Sequence, residues 1–579
     1  MNDIRRTILW VVFGFSMVLL WDQWQVYNGH KATFFPASVQ SGASAPPASP
    51  AAASTVPTAT PAVAAQVGAQ SVPGVAPDPL GAVPSAPSLA RERIVVTTDV
   101  FKLTFDTDGG SLLRTEFLQH IDMENKSRNF VLLDDSKERV YLAQTGLIGG
   151  AALSPLPTHK TAMTLAPGER QLKPGVDELV LSFESGEVGG VKLVKTYTLK
   201  RGSYAIKVKH QILNVGSAAV APQLYLQLVR DGNKPAGESA FYSTFTGPAV
   251  YTEAKKYQKV EFSDIKKKSA DYEKQSANGY IAMVQHYFAS AWILPEGLPR
   301  SISLYAVDSG SSVPDCCYRA TLIVPLASLE PGASKSLEAN FFAGPQEEKV
   351  LEALAPGLEL VKDYGWLTIL AKPLYWLLDR VQGYINNWGW SIVALVLLLK
   401  IAFYWLNAKA YASMAKMKAV NPKVMEMRER LKDKPQQMQQ EMMRIYREEK
   451  VNPMGGCFPI MVQIPVFIAL YWVLLSSVEM RNAPWVMWIH DLSSPDPYYI
   501  LPLVMTLTTV LQTALNPAPP DPMQAKLMWF MPLAFSVMFF FFPSGLVLYW
   551  ITNNILSIAQ QWIINTRMGV PPQFNLPKF

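Results

Sequence analysis

Charge is scarce in this 579-residue chain: Asp, Glu, Lys and Arg make up 17% of it, and the net charge is only +6. No basic tract is long enough, or interleaved enough with aromatics, to make nucleic acid a specific partner. Cysteine is scarcer still. Three residues, two of them adjacent (Cys316 and Cys317), exclude a disulfide framework. The adjacent pair is open to a strained vicinal bridge or to two free thiols, and free thiols are the expectation. Cys457 opens an apolar run and is expected as a packed thiol. Zinc-ligand spacings, a phosphate-binding glycine loop and a nucleophile elbow are all missing, so no catalytic centre, metal or cofactor is expected. Also missing is any Asp or Glu inside the long hydrophobic runs, which removes the midplane carboxylates of a solute transporter.

Apolar residues are abundant, at 49%, with a mean hydropathy of +0.10. That average conceals a division along the chain. In residues 1–28, an apolar run from Ile8 to Leu20 follows Arg5 and Arg6 and precedes Trp21, Trp24 and Tyr27. Aromatics at that place suit a membrane interface better than a cleavage site, so an uncleaved anchor is expected. Residues 29–92 are mainly Ala, Pro, Ser, Val and Thr and are expected to form a flexible tether on the far side of the membrane. Residues 93–345 change to short alternating runs. Val100–Asp106 puts Phe101, Leu103 and Phe105 on one face and Lys102, Thr104 and Asp106 on the other. Similar runs at Leu179–Phe183, Val191–Leu199, Tyr204–Leu213, Leu224–Val229 and Ala320–Val324 predict a β-sandwich. Residues 346–385 are amphipathic, broken by Lys372, Pro373, Asp379 and Arg380, and suit helices lying in the interface. Residues 386–566 hold five spans at about 389–408, 457–478, 499–516, 527–542 and 545–565, before a tail at 567–579. The fold class is therefore mixed, a polytopic α-helical membrane domain with a β domain outside the cytoplasm.

Loop charge gives the orientation. Lys409 to Lys450 contains eleven Lys or Arg against six Asp or Glu, which places this loop in the cytoplasm. Alternation then puts 479–498 outside and both chain termini inside. Arg5 and Arg6 agree.

One charge stands in the first core span. Lys400 lies nine residues before Lys409, about 13 Å of helix. That depth defeats snorkelling and points to a functional lysine facing protein or water. Gln463, Gln512, Asn553, Asn554, Gln560 and Gln561 fall in the cytoplasmic halves of their spans, whereas the outer halves are apolar or aromatic. Singly, each amide is helix–helix glue. Together they describe a wet cavity open inward and closed outward, which a channel's continuous polar path would not be.

The cytoplasmic loop 410–452 predicts a helical hairpin. Asn421-Pro422 is expected to open its first helix, and Asp433-Lys434-Pro435 to turn it. Its stripe of Met427, Leu431, Met438 and Met442 either forms an adaptable recruitment surface or packs the hairpin against itself. His490-Asp491, beside Trp485 and Trp488, suits interfacial anchoring rather than acid–base chemistry.

Five segments carry a resemblance: Asn387–Ile392 (NWGWSI), Tyr411–Met417 (YASMAKM), Val451–Pro459 (VNPMGGCFP), Trp488–Leu492 (WIHDL) and Phe542–Tyr549 (FPSGLVLY). Spread over 365–566, they are similar to the YidC/Oxa/Alb family of membrane-protein insertases, in its Gram-negative bacterial form. The resemblance implies an insertase and chaperone for nascent inner-membrane proteins. It would work alone or beside the Sec translocon, with membrane lipid and the ribosome as further partners and without an enzymatic reaction. It implies a cytoplasm-open groove whose cation, usually Arg, is here Lys400. Gln512 and Trp550 match groove-lining positions, and Gln463, Asn553 and Asn554 complete the expected groove. It also implies a sugar-mutarotase-like supersandwich for the β domain, from which no sugar chemistry follows. The alternatives are a solute transporter or channel, and a membrane-tethered carbohydrate enzyme.

Overall fold

A computed structural model describes residues 92–149, 155–235, 244–307, 313–431, 434–449, 458–516, 522–569 and 574. The anchor expected at 1–28, nearly all of the tether and Cys457 lie outside the described residues. The described residues fall into two compact units, within Ala52–Lys372 plus Ala469–Ala483 and within Pro373–Ile468 plus Pro484–Phe579.

The first unit is a sandwich of two antiparallel sheets, with ten and nine strands among the described residues. In the larger sheet, Pro222–Arg230 pairs with Val140–Gly149 and Tyr318–Pro325. In the smaller, Ala205–Asn214 pairs with Val191–Lys200 and Ser334–Pro345. Alternation explains these strands: every second side chain from Val191 to Leu199 is buried, so one face joins the core. The six alternating runs read from the sequence coincide with strands, two of them (from Val100 and Tyr204) starting one residue early. Phe101, Leu103 and Phe105 are buried as expected. Asp106 is a correction, buried at 1% exposure instead of facing out. The register shift here leaves the extra residue, Leu113, on the partner strand, and Asp106 Oδ1 accepts from Asp108 N at 3.0 Å where its own strand ends.

Several polar groups deep inside the sandwich have partners, which offsets part of the cost of their burial. Lys195 is fully buried, and its Nζ donates to Gly109 O at 2.6 Å and Thr145 O at 2.7 Å. Burial brings its pKa down to about 7. His210 Nε2 pairs with the Thr145 hydroxyl at 3.0 Å, and His159 Nδ1 with the Tyr225 hydroxyl at 2.6 Å. Cys316 and Cys317 also correct the expectation, since their sulfurs are joined as a vicinal disulfide. Neighbours in an extended strand point to opposite faces; both cysteines precede the strand Tyr318–Pro325 and are exempt from that alternation.

In the chain order of the helical region, α1 is Thr368–Ile385, α2 Trp388–Ala402, α3 Tyr404–Arg430 and α4 Pro435–Glu448. They are followed by α5 (Phe458–Ser476), α6 (Ile500–Leu515), α7 (Pro522–Met538) and α8 (Ser544–Arg567). Exposed Ile369, Trp376 and Tyr384 give α1 an uncovered apolar side. Among the described residues no single helix is long and apolar enough to cross a membrane, whereas α2 and α3 pass together across a 69° bend. The span expected as one helix over 389–408 is thus broken at Phe403. Side chains of α8 hold both arms: Ser557 accepts from Lys400 before the bend, and Gln560 Nε2 lies 3.5 Å from Tyr404 O after it.

The hairpin departs from expectation at its first helix. Pro422 lies inside α3 and does not open it. An interior proline costs about 3 kcal/mol. Burial of Val420, Val424 and Met427 across it offsets that cost, at roughly 1.5–3 kcal/mol per side chain.

Candidate functional site

Asn553, Asn554, Ser557, Gln560 and Gln561 recur every three or four residues along α8, so they share one face. Neighbouring helices present polar groups to it. Lys400 Nζ of α2 donates to Ser557 Oγ at 2.7 Å, and Ser557 Oγ donates to Asn553 O at 2.7 Å. Asn554 Nδ2 donates to Thr509 Oγ1 at 3.0 Å and Thr508 Oγ1 at 3.2 Å on α6. Gln463 Nε2 of α5 donates to Asn407 Oδ1 at 2.6 Å, and Asn407 Nδ2 lies 3.5 Å from Gln560 Oε1.

These contacts also fix direction. Ile392 lies by Gly545 and Lys400 by Ser557, so α2 runs parallel to α8. Residue number along α8 is therefore a depth scale of about 1.5 Å per residue. At its first turns the scale is aromatic: the Trp550 ring stands 4.5 Å from Phe467 and 4.6 Å from Phe539. From Asn553 onward it is polar.

Where the two regions meet lies a cavity of about 430 Å³. Lys400, Gln463, Gln512, Trp550, Asn553 and Asn554, the six residues assigned to a groove from sequence, all line it. Lys400 is the one charged side chain among the described residues that do so. Its hydrogen bond goes to a neutral hydroxyl, and among the described residues no carboxylate pairs with it, so the positive charge stands uncompensated by them in a part-buried place. Sequence reasoning missed Ser557, Asn407 and Thr509. Ser557 was legible as the missing member of the 553–557–560 row. Asn407 and Thr509 read as ordinary helix residues and carried no such signal.

The hairpin residues are placed differently. Met427 is buried between α3 and α4, with Leu431, Met438 and Met442 packed against it, so these four serve the hairpin's own packing. Met425 and Met443 are its exposed methionines.

The loop ahead of α6 is tied to the start of α2. Asn387 Oδ1 accepts from Trp390 N at 3.0 Å and caps α2, while its Nδ2 donates to Pro484 O at 3.3 Å. Asp491 accepts from Ser493 Oγ and Ser494 Oγ at 2.7 Å each, a loop-shaping role in place of an acid–base one. A Cβ on Gly389 would run into the Trp485 ring. Gly389→Val is expected to lower stability by about 1–3 kcal/mol through overpacking. Thermal unfolding in detergent would measure it, and an unchanged midpoint would show that the loop yields freely.

A ten- and nine-stranded sandwich joined to a helical unit with a charged cavity defines a class, and comparison with known proteins agrees. Residues 93–377 match the family model described as the YidC periplasmic domain, and 380–570 match that described as 60Kd inner membrane protein. The chain is thus an inner-membrane protein with a periplasmic domain. It is 54% identical to the membrane protein insertase YidC of Cupriavidus necator over 98% of both chains. It is 53% identical to that of Ralstonia nicotianae, again over 98% of both. A crystal structure of an active YidC insertase aligns with 81% of this chain and 92% of its own, at 18% identity and a TM-score of 0.37. The chain belongs to the YidC family of membrane protein insertases.

Proposed function

We propose that the cavity around Lys400 is the groove through which this insertase passes hydrophilic segments of nascent inner-membrane proteins. One observation carries the proposal: six polar or aromatic residues from four helices converge on one cavity with one uncompensated cation. Crossing hydrocarbon costs a backbone several kcal/mol per unsatisfied group. A polar half-groove shortens the dry path, Lys400 attracts acidic residues in the passing segment, and the aromatic end around Trp550 favours release of the apolar helix to lipid.

The finer parts of the proposal rest on the family and on loop charge. The groove opens to the cytoplasm, where the basic loop between Lys409 and Lys450 lies with both termini. The hairpin takes segments arriving from the ribosome, through a fold held by Met427, Leu431, Met438 and Met442. The protein also acts as a chaperone, alone or beside the Sec translocon.

Reconstituted insertion of a small acidic-tailed membrane protein tests the charge. Wild type and Lys400→Arg should insert it, while Lys400→Gln and Lys400→Leu should fall several-fold short. Equal insertion by all four would sink the mechanism.

A further inference from the structure

We propose that Ser557 is a positioning residue that fixes the Lys400 ammonium at one depth, so that the insertase selects segments by where their acidic residue lies. This rests on the reading of Lys400 as the groove's attracting charge. Ser557 has one proton, and that proton is committed to Asn553 O one turn back in its own helix. The oxygen facing Lys400 is therefore an acceptor only. Tyr411 of α3 reaches the same hydroxyl, so Ser557 joins α2, α3 and α8.

The chemistry of this seat is specific. An aspartate at 557 would hold the ammonium equally well but neutralise it. An alanine would leave the four-carbon stem of Lys400 free to swing along the groove. A serine anchors one of three N–H donors and leaves two for the cavity, with the full charge intact. On the α8 depth scale, Ser557 lies four residues below Asn553, about 6 Å. A point charge held there favours a carboxylate that arrives at matching depth, and a mobile one favours carboxylates over a wider range.

The test is a set of single-span substrates whose short translocated tails are neutral or carry one Asp at successive positions. Insertion into proteoliposomes containing the full chain gives a profile of Asp benefit against position. Wild type should show a peak of about fivefold, the effect of roughly one well-placed ion pair. Ser557→Ala should flatten the profile, read as the ratio of each Asp tail to the neutral parent in the same variant, to within about twofold. Ser557→Thr, which keeps the hydroxyl, should restore the peak. Ser557→Asp should remove the benefit at every position. If Ser557→Ala keeps the wild-type peak while Lys400→Gln loses it, the positioning role is overturned and the charge reading stands. If Lys400→Gln keeps the peak as well, the charge reading itself fails.

Discussion

Lys400→Glu should invert the substrate preference of this insertase. A carboxylate at the cavity wall repels the acidic tail that the lysine attracts, and like charges brought together in a confined site cost several kcal/mol. Acidic-tailed substrates should fall by about tenfold or more, corresponding to 1.4 kcal/mol or above. A neutral-tailed substrate should change little, and a tail carrying one Lys should now outperform the acidic one. The prediction reaches further than loss of function, because a damaged fold would depress all three tails together. Side-by-side insertion of acidic, neutral and basic versions of one substrate measures the order. Finding the wild-type order preserved would show that the groove does not read charge.

Mild acid should unfold the β unit. His159, His210 and His286 are buried at 6%, 0% and 8% exposure. Burial is the main cause that lowers their pKa values from 6.5 to about 3, 3 and 4. Nearby cations add to it, Lys195 for the first two and Arg481 for the third. Each folded-state pKa is depressed, so the unfolded chain takes up protons first as the pH falls through 6.5. Stability is full above that pH and declines until the folded values are reached near 3 to 4. The slope is about 1.4 kcal/mol per pH unit for each histidine. Between pH 6.5 and 5 three histidines together forfeit about 5 kcal/mol, comparable with the whole stability of many domains. Lys195, lowered to about 7, makes stability rise further between pH 7 and its ordinary 10.5. Hydrogen exchange in the Ala205–Asn214 and Pro222–Arg230 strands of the full chain, corrected for intrinsic rates, should show protection falling steeply below pH 6. Flat protection from pH 7 to 5 would mean that these imidazoles find proton-accepting partners when charged.

Legibility in the sequence followed the physics of each element. Strands with one face in the core announced themselves by alternation, as in Val191–Lys200. Tyr280–Gln285 and Phe288–Ile293 are buried on both faces and show no alternation to read. The lining of the cavity was legible because polarity inside an apolar span is costly and therefore informative. Lys400, Gln463, Asn553 and Asn554 stood out for that reason. Ser557 offered only its place in the 553–557–560 row, since a hydroxyl bonded to its own helix is common in any span. The break at Phe403 had no local signal, lacking Pro or Gly, and side chains of α8 far along the chain meet both of its arms. Pro422 misled in the opposite direction. Its local preference for a helix start was overridden by Val420, Val424 and Met427, which need one continuous face.

The bend after α2 bears on the surrounding lipid. Fifteen residues of α2 before the break rise only about 22 Å. Sixteen in α6 rise about 24 Å, against a hydrocarbon layer of roughly 30 Å. Helices that short cannot match an undisturbed bilayer. A bilayer meets such a mismatch by thinning, by snorkelling of flanking side chains or by helix association, at a fraction of a kcal/mol per ångström. Where thinning is the response, the hydrocarbon beside α2 and α6 is several ångströms shallower than elsewhere.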